Sequence, residues 1–176
     1  MMYKMRGVDI IELYVLFKAL KLLVEDINYR TTFNDIDMLM PKSLGVYIKS
    51  GEVTDYRDVT SSEYINRCAR VQMVVQSDKD LKSLISSFNV LSKIRDQFLK
   101  LNNESLLLDE SYKFYMLENE VYMLDDEDDN ISPQSLDVII IKTDLLGDIN
   151  SIGKNEQGMS IYDINFKMWY TITPHQ

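Results

Sequence analysis

The clearest pattern in the chain is a run of alternating hydrophobic and polar positions that leads directly into helical spacing, within residues 62–101. Across residues 69–75 every second position is apolar, and Arg70, Gln72 and Gln76 lie on the opposite side. Side chains of a strand point alternately to its two faces. The pattern therefore predicts a strand with one buried face and one face in contact with water.

A long helix is predicted after this strand. Ser77 and Asp78 mark the turn, and either side chain is able to accept a hydrogen bond from the first turn of a helix. Asp80 adds negative charge where the helix dipole favours it. Hydrophobic residues then recur every three or four positions, at Leu81, Leu84, Ile85, Phe88, Leu91, Ile94, Phe98 and Leu101. This stripe predicts a helix that lies on the sheet.

An earlier helix is predicted over residues 8–27, where apolar residues cover more than one face. The main stripe runs from Ile10 to Ile27, and Val15 and Leu16 lie outside it. Such a helix needs either a deep position in the fold or a partner chain. The pattern leaves both alternatives open.

Further strands follow from shorter patterns. Residues 44–49 predict a strand, residues 112–123 a β-hairpin that turns at 118–120, and residues 162–172 a long strand of strict alternation. Residues 136–142 are apolar at successive positions, which indicates burial on both faces, in the middle of a sheet or against a neighbouring subunit. The segments 28–43, 51–62 and 144–160 are predicted to be irregular connections.

These elements predict one α+β domain over residues 1–176: a mixed, mainly antiparallel β-sheet with two main helices packed on it. The 176 residues are 45% hydrophobic and 27% charged, which suits one globular core. The net charge of −9 argues against general binding to nucleic acid or to an anionic membrane. Residues 125–129 are all acidic and predict a solvated loop, called the acidic segment below.

Candidate catalytic residues are few. His175 is next to last in the chain, where ends are usually mobile, and Cys68, the only cysteine, reads as a small buried residue. One thiol allows no internal disulfide, which favours an intracellular origin. Asp55, Asp58 and Glu63 show no spacing typical of a metal site, and the glycines form no phosphate loop. We expect no enzyme activity, no cofactor and no metal.

The remaining signal is for protein interfaces, in which tyrosine, tryptophan and arginine are enriched. Near the 51–62 loop and on the later strands, the candidate interface residues are Tyr47, Tyr56, Arg57, Asp58, Val138, Ile140 and Trp169.

Several stretches resemble minor capsid proteins of tailed bacteriophages: residues 45–51, 56–64, 66–77, 94–96 and 162–172. The order of elements is similar to that of the tail terminator proteins, which have a helix, strands, a second helix and further strands. The resemblance covers residues 44–101 and 136–172. The acidic segment and residues 28–43 have no counterpart in that plan.

The resemblance implies a homohexameric ring that caps the phage tail tube, ends its polymerisation and joins it to the neck connector. Its expected partners are other copies of the chain, the tail-tube protein and a neck protein, with DNA passing through the lumen and no membrane. Its expected location is the virion, after synthesis in the host cytoplasm. The alternatives are another neck ring, for head closure or head-to-tail joining, and, in a different class, an acidic DNA-mimic inhibitor.

Overall fold

The computed structural model describes residues 10–37, 39–50, 66–125 and 130–176. Two α-helices lie in these ranges, α1 (Ile10–Leu23) and α2 (Leu81–Phe98). The strands are β1 (Arg30–Phe33), β2 (Ser43–Ser50), β3 (Arg67–Ser77), β4 (Glu104–Leu108), β5 (Phe114–Leu117), β6 (Glu120–Met123), β7 (Leu136–Leu145), β8 (Asn150–Lys154) and β9 (Ser160–Pro174). The predicted α+β class is confirmed.

The strands of the main sheet lie in the order β1-β2-β3-β9-β7-β4, and β8 pairs with the first part of β9. Each of these pairings is antiparallel except the one between β1 and β2. The predicted mixed, mainly antiparallel sheet is therefore confirmed. β9 has 15 residues and pairs with β3 along one edge and with β7 and β8 along the other.

The hydrophobic core lies on one face of this sheet, called the inner face. The register places Met73 opposite Ile164 and Val138 opposite Ile172, so that the apolar positions of neighbouring strands meet on the same side. Both helices pack on this face, α2 against β3 and β9, and α1 against strands near both ends of the sheet order. The predicted packing of both helices on the sheet is confirmed.

The deep position of α1 decides between the two alternatives for its broad apolar surface. Val15, Leu16, Ala19 and Leu20 are completely buried. Strands β1, β2, β4 and β7 contact the helix, and so does β6 of the separate β5–β6 hairpin. The core of this chain, without a partner chain, therefore covers these side chains.

The start of α2 differs in detail from the prediction. Its N-cap is Asp80, whose carboxylate accepts hydrogen bonds from the Ser83 amide and hydroxyl, both at 2.8 Å. Ser77 is still part of β3, and Asp78 accepts a bond from the amide of Lys79. The hydrophobic stripe is buried only in its second half, at Leu91, Ile94, Phe98 and Leu101.

Three strands, β1, β4 and β8, lie where irregular or unassigned chain was expected. They are short and lie at margins of the sheet, with mostly exposed or half-buried side chains. Such strands lack the strict alternation that a buried face imposes, because few of their side chains are buried in the core. The 51–62 loop and most of the acidic segment lie outside the described residues.

The predicted hairpin is confirmed as β5 and β6, joined by Glu118 and Asn119. Both residues have positive φ angles, 50° and 66°, as a two-residue type I′ turn requires. The C-terminal end is not frayed, in contrast to the prediction. The backbone amide of His175 donates to the Ser135 carbonyl, and the ring Nδ1 of His175 lies 2.9 Å from the Asp137 carboxylate.

Candidate functional site: a polar groove on the outer face of the sheet

The face of the sheet opposite the core, called the outer face, carries an open groove of about 610 Å³. Strands β2, β3 and β9 form its floor, and the segments just after β1 and β7 contribute its two ends. The lining residues are Asn34, Tyr47, Ile48, Lys49, Arg70, Gln72, Leu146, Asn165 and Phe166. Polar side chains predominate because alternate positions of the three strands face away from the core.

Side-chain hydrogen bonds within and between strands hold the floor of the groove in place. The buried carboxylate of Asp163 accepts bonds from the side-chain amide of Gln72 on β3 at 2.7 Å and from the side-chain amide of Asn165 on β9 at 2.9 Å. At one end, the Asn34 side chain accepts a bond of 2.8 Å from the Ile48 amide. Buried polar groups with satisfied hydrogen bonds keep a defined geometry, so the groove has a preformed shape.

Tyr47 is half-buried on the wall of the groove. Its burial, and secondly the negative charge of Asp35, raise the pKa of the phenol above its ordinary value of 10.0. The approach of Asp35 depends on Gly45, because a Cβ atom there would lie 2.6 Å from the Asp35 carbonyl oxygen. At neutral pH the Tyr47 hydroxyl therefore remains protonated and able to donate a hydrogen bond.

Three cations follow one another on the outer face of the sheet, and two of them, Lys49 and Arg70, line the groove. The register places Lys49 of β2 opposite Arg70 of β3, and Arg70 opposite Lys167 of β9. We call these three residues the cationic row. Lys167 also lies over the ring of Trp169, with its Nζ 4.7 Å from the ring centre, and Lys142 lies 5.1 Å from the same centre.

The predicted interface residues fall in different environments. Tyr47 lies in the groove. Trp169 belongs to the polar face of β9 as predicted, but only 4% of its surface is exposed, and Val138 and Ile140 are completely buried in the core. These three residues therefore have little or no surface for a partner in this fold. Tyr56, Arg57 and Asp58 lie outside the described residues.

Lys49, Arg70 and Lys167 were not singled out from the sequence. They are 21 and 97 residues apart along the chain, and only the strand register makes them neighbours. Their location on polar faces of three predicted strands was the available signal. Without the pairing partners and the register, that signal does not distinguish a row of charges from scattered ones.

A second exposed feature is the N-terminal half of the apolar stripe of α2. Leu81, Ile85 and Phe88 are 71%, 51% and 43% exposed, and we call them the α2 ridge. Phe88 packs edge to face on Tyr162, with ring centres 6.2 Å apart, so the ridge borders β9. Contiguous exposed apolar side chains of this kind are typical of surfaces that bind other proteins.

No set of three or more histidine, cysteine, aspartate or glutamate side chains in the described part of the chain could hold a metal ion. Cys68 is buried. Neither helix in the described ranges is long and apolar enough to cross a membrane.

No protein-family model matches the sequence, and the search of curated proteins returns no match.

Proposed function

We propose that this chain is a structural subunit of a tailed-bacteriophage virion, a tail terminator that caps the tail tube as a ring. The observation that carries the proposal is the order of elements: α1, three strands, α2 and then further strands that return to the same sheet. This is the plan implied by the sequence resemblance over residues 44–101 and 136–172. A protein of this kind acts by burying surface between subunits, without chemical turnover.

The fold has surfaces that suit self-association. The α2 ridge exposes three large apolar side chains, and covering them with another subunit would remove apolar surface from water. In the strand order, β1 and β4 are the outermost strands, so each has an outer edge with no strand beside it in the described ranges. Edge strands are able to extend a sheet into a neighbouring subunit. Both features support a ring of identical copies, which we propose to be a hexamer.

The proposed partners are the tail-tube protein on one side of the ring and a neck connector protein on the other. DNA would only pass through the lumen. The net charge of −9 supports this role, since a negatively charged channel wall repels the phosphate backbone and so prevents sticking. The proposed location is the neck region of the virion, after synthesis in the cytoplasm of the bacterial host.

Light scattering coupled to size-exclusion chromatography, with and without purified tail-tube protein, tests the proposal. We expect a hexamer, or a monomer that forms rings only on tube ends. Ile85→Glu, within the α2 ridge, is expected to weaken ring formation, because it would bury a charge at the interface. Leu39→Glu is the matched control, since Leu39 is exposed outside the ridge.

Other outcomes would point to the alternatives. A monomer that ignores tube ends would contradict the terminator function. A ring that binds a head connector but no tail tube would favour a head-closure or joining protein. A monomer that inhibits a basic nuclease would favour the acidic DNA-mimic inhibitor, which the net charge alone supports.

A further inference from the structure

The exposed side of α2 combines apolar side chains with positive charge. Ile85 of the α2 ridge also lines a shallow groove of about 390 Å³, whose other lining residues are Lys82, Ser86, Asn89, Val90 and Lys93. Of the described residues that line this groove, none is acidic. Lys82 and Lys93 are 11 residues apart on the helix, or about 16 Å. Neither lysine forms an ion pair within the described ranges.

The carboxylates at the start of α2 are held by hydrogen bonds to the backbone. Asp80 accepts the Ser83 amide, and Asp78 accepts the Lys79 amide. Residues 79–100 nevertheless carry five basic and two acidic side chains, in a protein whose net charge is −9. A partner that fits the α2 ridge therefore has apolar side chains for the ridge and carboxylates for its lysines.

The β5–β6 hairpin has the opposite combination. One face of its two strands is buried in the core. The other face, called the outward face, carries the cross-strand pair Tyr115 and Tyr122 together with Leu117, which is 48% exposed. Glu118 and Glu120 lie at the turn beside Leu117, and both are exposed. Tyrosine and exposed leucine next to carboxylates provide what the ridge and its lysines need.

The negative charge of the hairpin region is in excess. Residues 109–125 contain five acidic residues and one basic residue. The stretches 1–9, 51–65 and 126–129, which lie outside the described residues, contain nine acidic and three basic residues in total. Their summed charge therefore has the same sign as that of the hairpin.

We propose that the α2 ridge of one copy packs on the outward face of the β5–β6 hairpin of another copy, with the turn carboxylates facing Lys82 and Lys93. Leu117 and the tyrosine pair cover the ridge, and the removal of this apolar surface from water favours the contact. The opposite charges at its margin fix the orientation of the two surfaces.

The two surfaces lie near opposite ends of one copy. The hairpin turn is held by Arg67, which donates to the Asn119 carbonyl and lies opposite Tyr170 of β9. Phe88 of the α2 ridge packs on Tyr162 of the same strand. The eight residues from Tyr162 to Tyr170 span about 26 Å. A ridge and a hairpin that meet therefore belong to different copies.

A contact between two different surfaces joins copies head to tail. When the rotation from one copy to the next closes, such contacts form a ring of identical subunits. The inference rests on the proposed function, because it specifies which surfaces of the chain form the proposed ring.

Cysteine cross-linking between two variants of the full-length chain tests the contact. Ile85→Cys and Leu117→Cys are mixed and oxidised with oxidised glutathione, and Cys68, which both variants retain, is buried. We expect a mixed disulfide dimer, since a disulfide forms only where the two Cα atoms come within about 7 Å. In the control mixture, Leu107→Cys, on β4 and 46% exposed, replaces Leu117→Cys. Its yield should be at least about fivefold lower, because the surfaces are not brought together.

Charge reversal in the same mixture tests the role of the carboxylates. Lys82→Glu in the first chain, or Glu118→Lys in the second, should lower the yield at least about fivefold, because like charges then face each other. Combining both reversals should restore the yield. Lys100→Glu and Glu104→Lys are exposed matched controls outside the two surfaces, and each should change the yield less than about twofold.

Three results would overturn the inference: a yield no higher than that of the control mixture, a dimer of Ile85→Cys with itself as the main product, or no rescue by the double reversal. Binding to phosphatidylglycerol vesicles that Lys82→Glu abolishes, without the mixed cross-link, would also overturn it and assign the ridge to a membrane. Circular dichroism checks that each variant is folded. Cross-linking without capping of tail tubes would refute only the proposed function, and capping without cross-linking would refute only this contact.

Discussion

Arg67 joins three separate parts of the chain through one guanidinium group. Its Nε and Nη2 atoms each donate to a different oxygen of Glu12 on α1, both at 2.7 Å, and Nη2 also donates to the Asn119 carbonyl at 2.8 Å. The side chain of Arg67 is 9% exposed. A bidentate ion pair in such a position is shielded from water and salt, so the first helix, the third strand and the hairpin turn are linked by a strong contact.

Loss of this contact is expected to destabilise the fold. Arg67→Ala should lower the free energy of unfolding by about 3 kcal/mol, because it leaves a partly buried carboxylate without its partner. Arg67→Lys should cost about 1–2 kcal/mol, since an ammonium group cannot bind both oxygens in the same geometry. Urea denaturation measures both. A double-mutant cycle with Glu12→Gln isolates the pair, and a coupling near zero would contradict its importance.

The ionisation of Tyr47 makes the stability of the fold depend on pH in the alkaline range. Its pKa is raised by burial and by Asp35, so the folded state favours the neutral phenol. A group with a raised folded pKa contributes stability that is complete below its unfolded pKa of about 10 and is lost as the pH rises through the folded pKa.

Tyr47→Phe removes this ionisation. We therefore expect the variant to gain stability relative to the wild type between pH 8 and pH 11, measured by urea denaturation at several pH values. Tyr115→Phe, on the hairpin, is the control for removing a phenol elsewhere. If the difference in free energy of unfolding between Tyr47→Phe and wild type stays constant over this pH range, the prediction is refuted.

At the scale of elements, α2 has an N-cap at Asp80 and a hydrophobic stripe that the sheet covers only in its second half. The backbone amide and the hydroxyl of Ser83 both donate hydrogen bonds to the Asp80 carboxylate. Because these bonds stabilise the ionised form, they lower the pKa of Asp80. The second half of the stripe packs on β3 and β9, where Phe98 contacts Phe166 with ring centres 5.2 Å apart. The first half forms the α2 ridge, which supports the proposed assembly surface.

The Asp80 cap predicts a loss of stability in acid. A carboxylate with a lowered folded pKa contributes stability that is present above its unfolded pKa of 3.8 and is lost as the pH falls through the folded pKa. Asp80→Ala should therefore melt at a lower temperature than wild type at pH 7, and the gap should narrow at pH 3. Asp80→Asn caps without titrating and is the control. If the difference in melting temperature is the same at pH 3 as at pH 7, the charge of Asp80 does not contribute to the stability of the cap.

At the scale of the whole molecule, β9 organises the fold. It has strand neighbours on both edges, β3 on one and β7 and β8 on the other, and its inner side chains from Ile164 to Ile172 fill the core. β8, in contrast, pairs only with β9 among the described strands, and all of its side chains are exposed. Stability within one domain follows such differences in burial and pairing.

Hydrogen exchange measured by mass spectrometry should reveal this gradient. Backbone amides of residues 164–172 are expected to exchange only through global unfolding, while those of β8 exchange through local opening, with rates at least about a hundredfold higher. The β5–β6 hairpin, which packs on α1, should lie between them. Equal protection of β8 and β9 would contradict a fold organised around β9.

The sequence by itself determined the class of the fold and its strongly periodic parts. The alternation at 69–75 and 162–172 arises because one face of each strand is buried in the core. The helical spacing in α1 and in the second half of α2 arises because burial selects apolar residues at the helical period. The hairpin turn at Glu118 and Asn119 was also predicted, because it lies between two short alternating runs. These features depend on residues close together in the chain.

Only the tertiary structure decided the rest. β1, β4 and β8 lie at the sheet margins, and the Asp80 cap depends on where β3 ends. Gln76, on the face of β3 predicted to contact water, is instead buried, and its side-chain amide donates to the Asp37 and Met40 carbonyls. The cationic row depends on the register of three strands, which brings Lys49, Arg70 and Lys167 together. Contacts between residues distant in sequence have no local signature, because the energy that fixes them appears only when the strands pair.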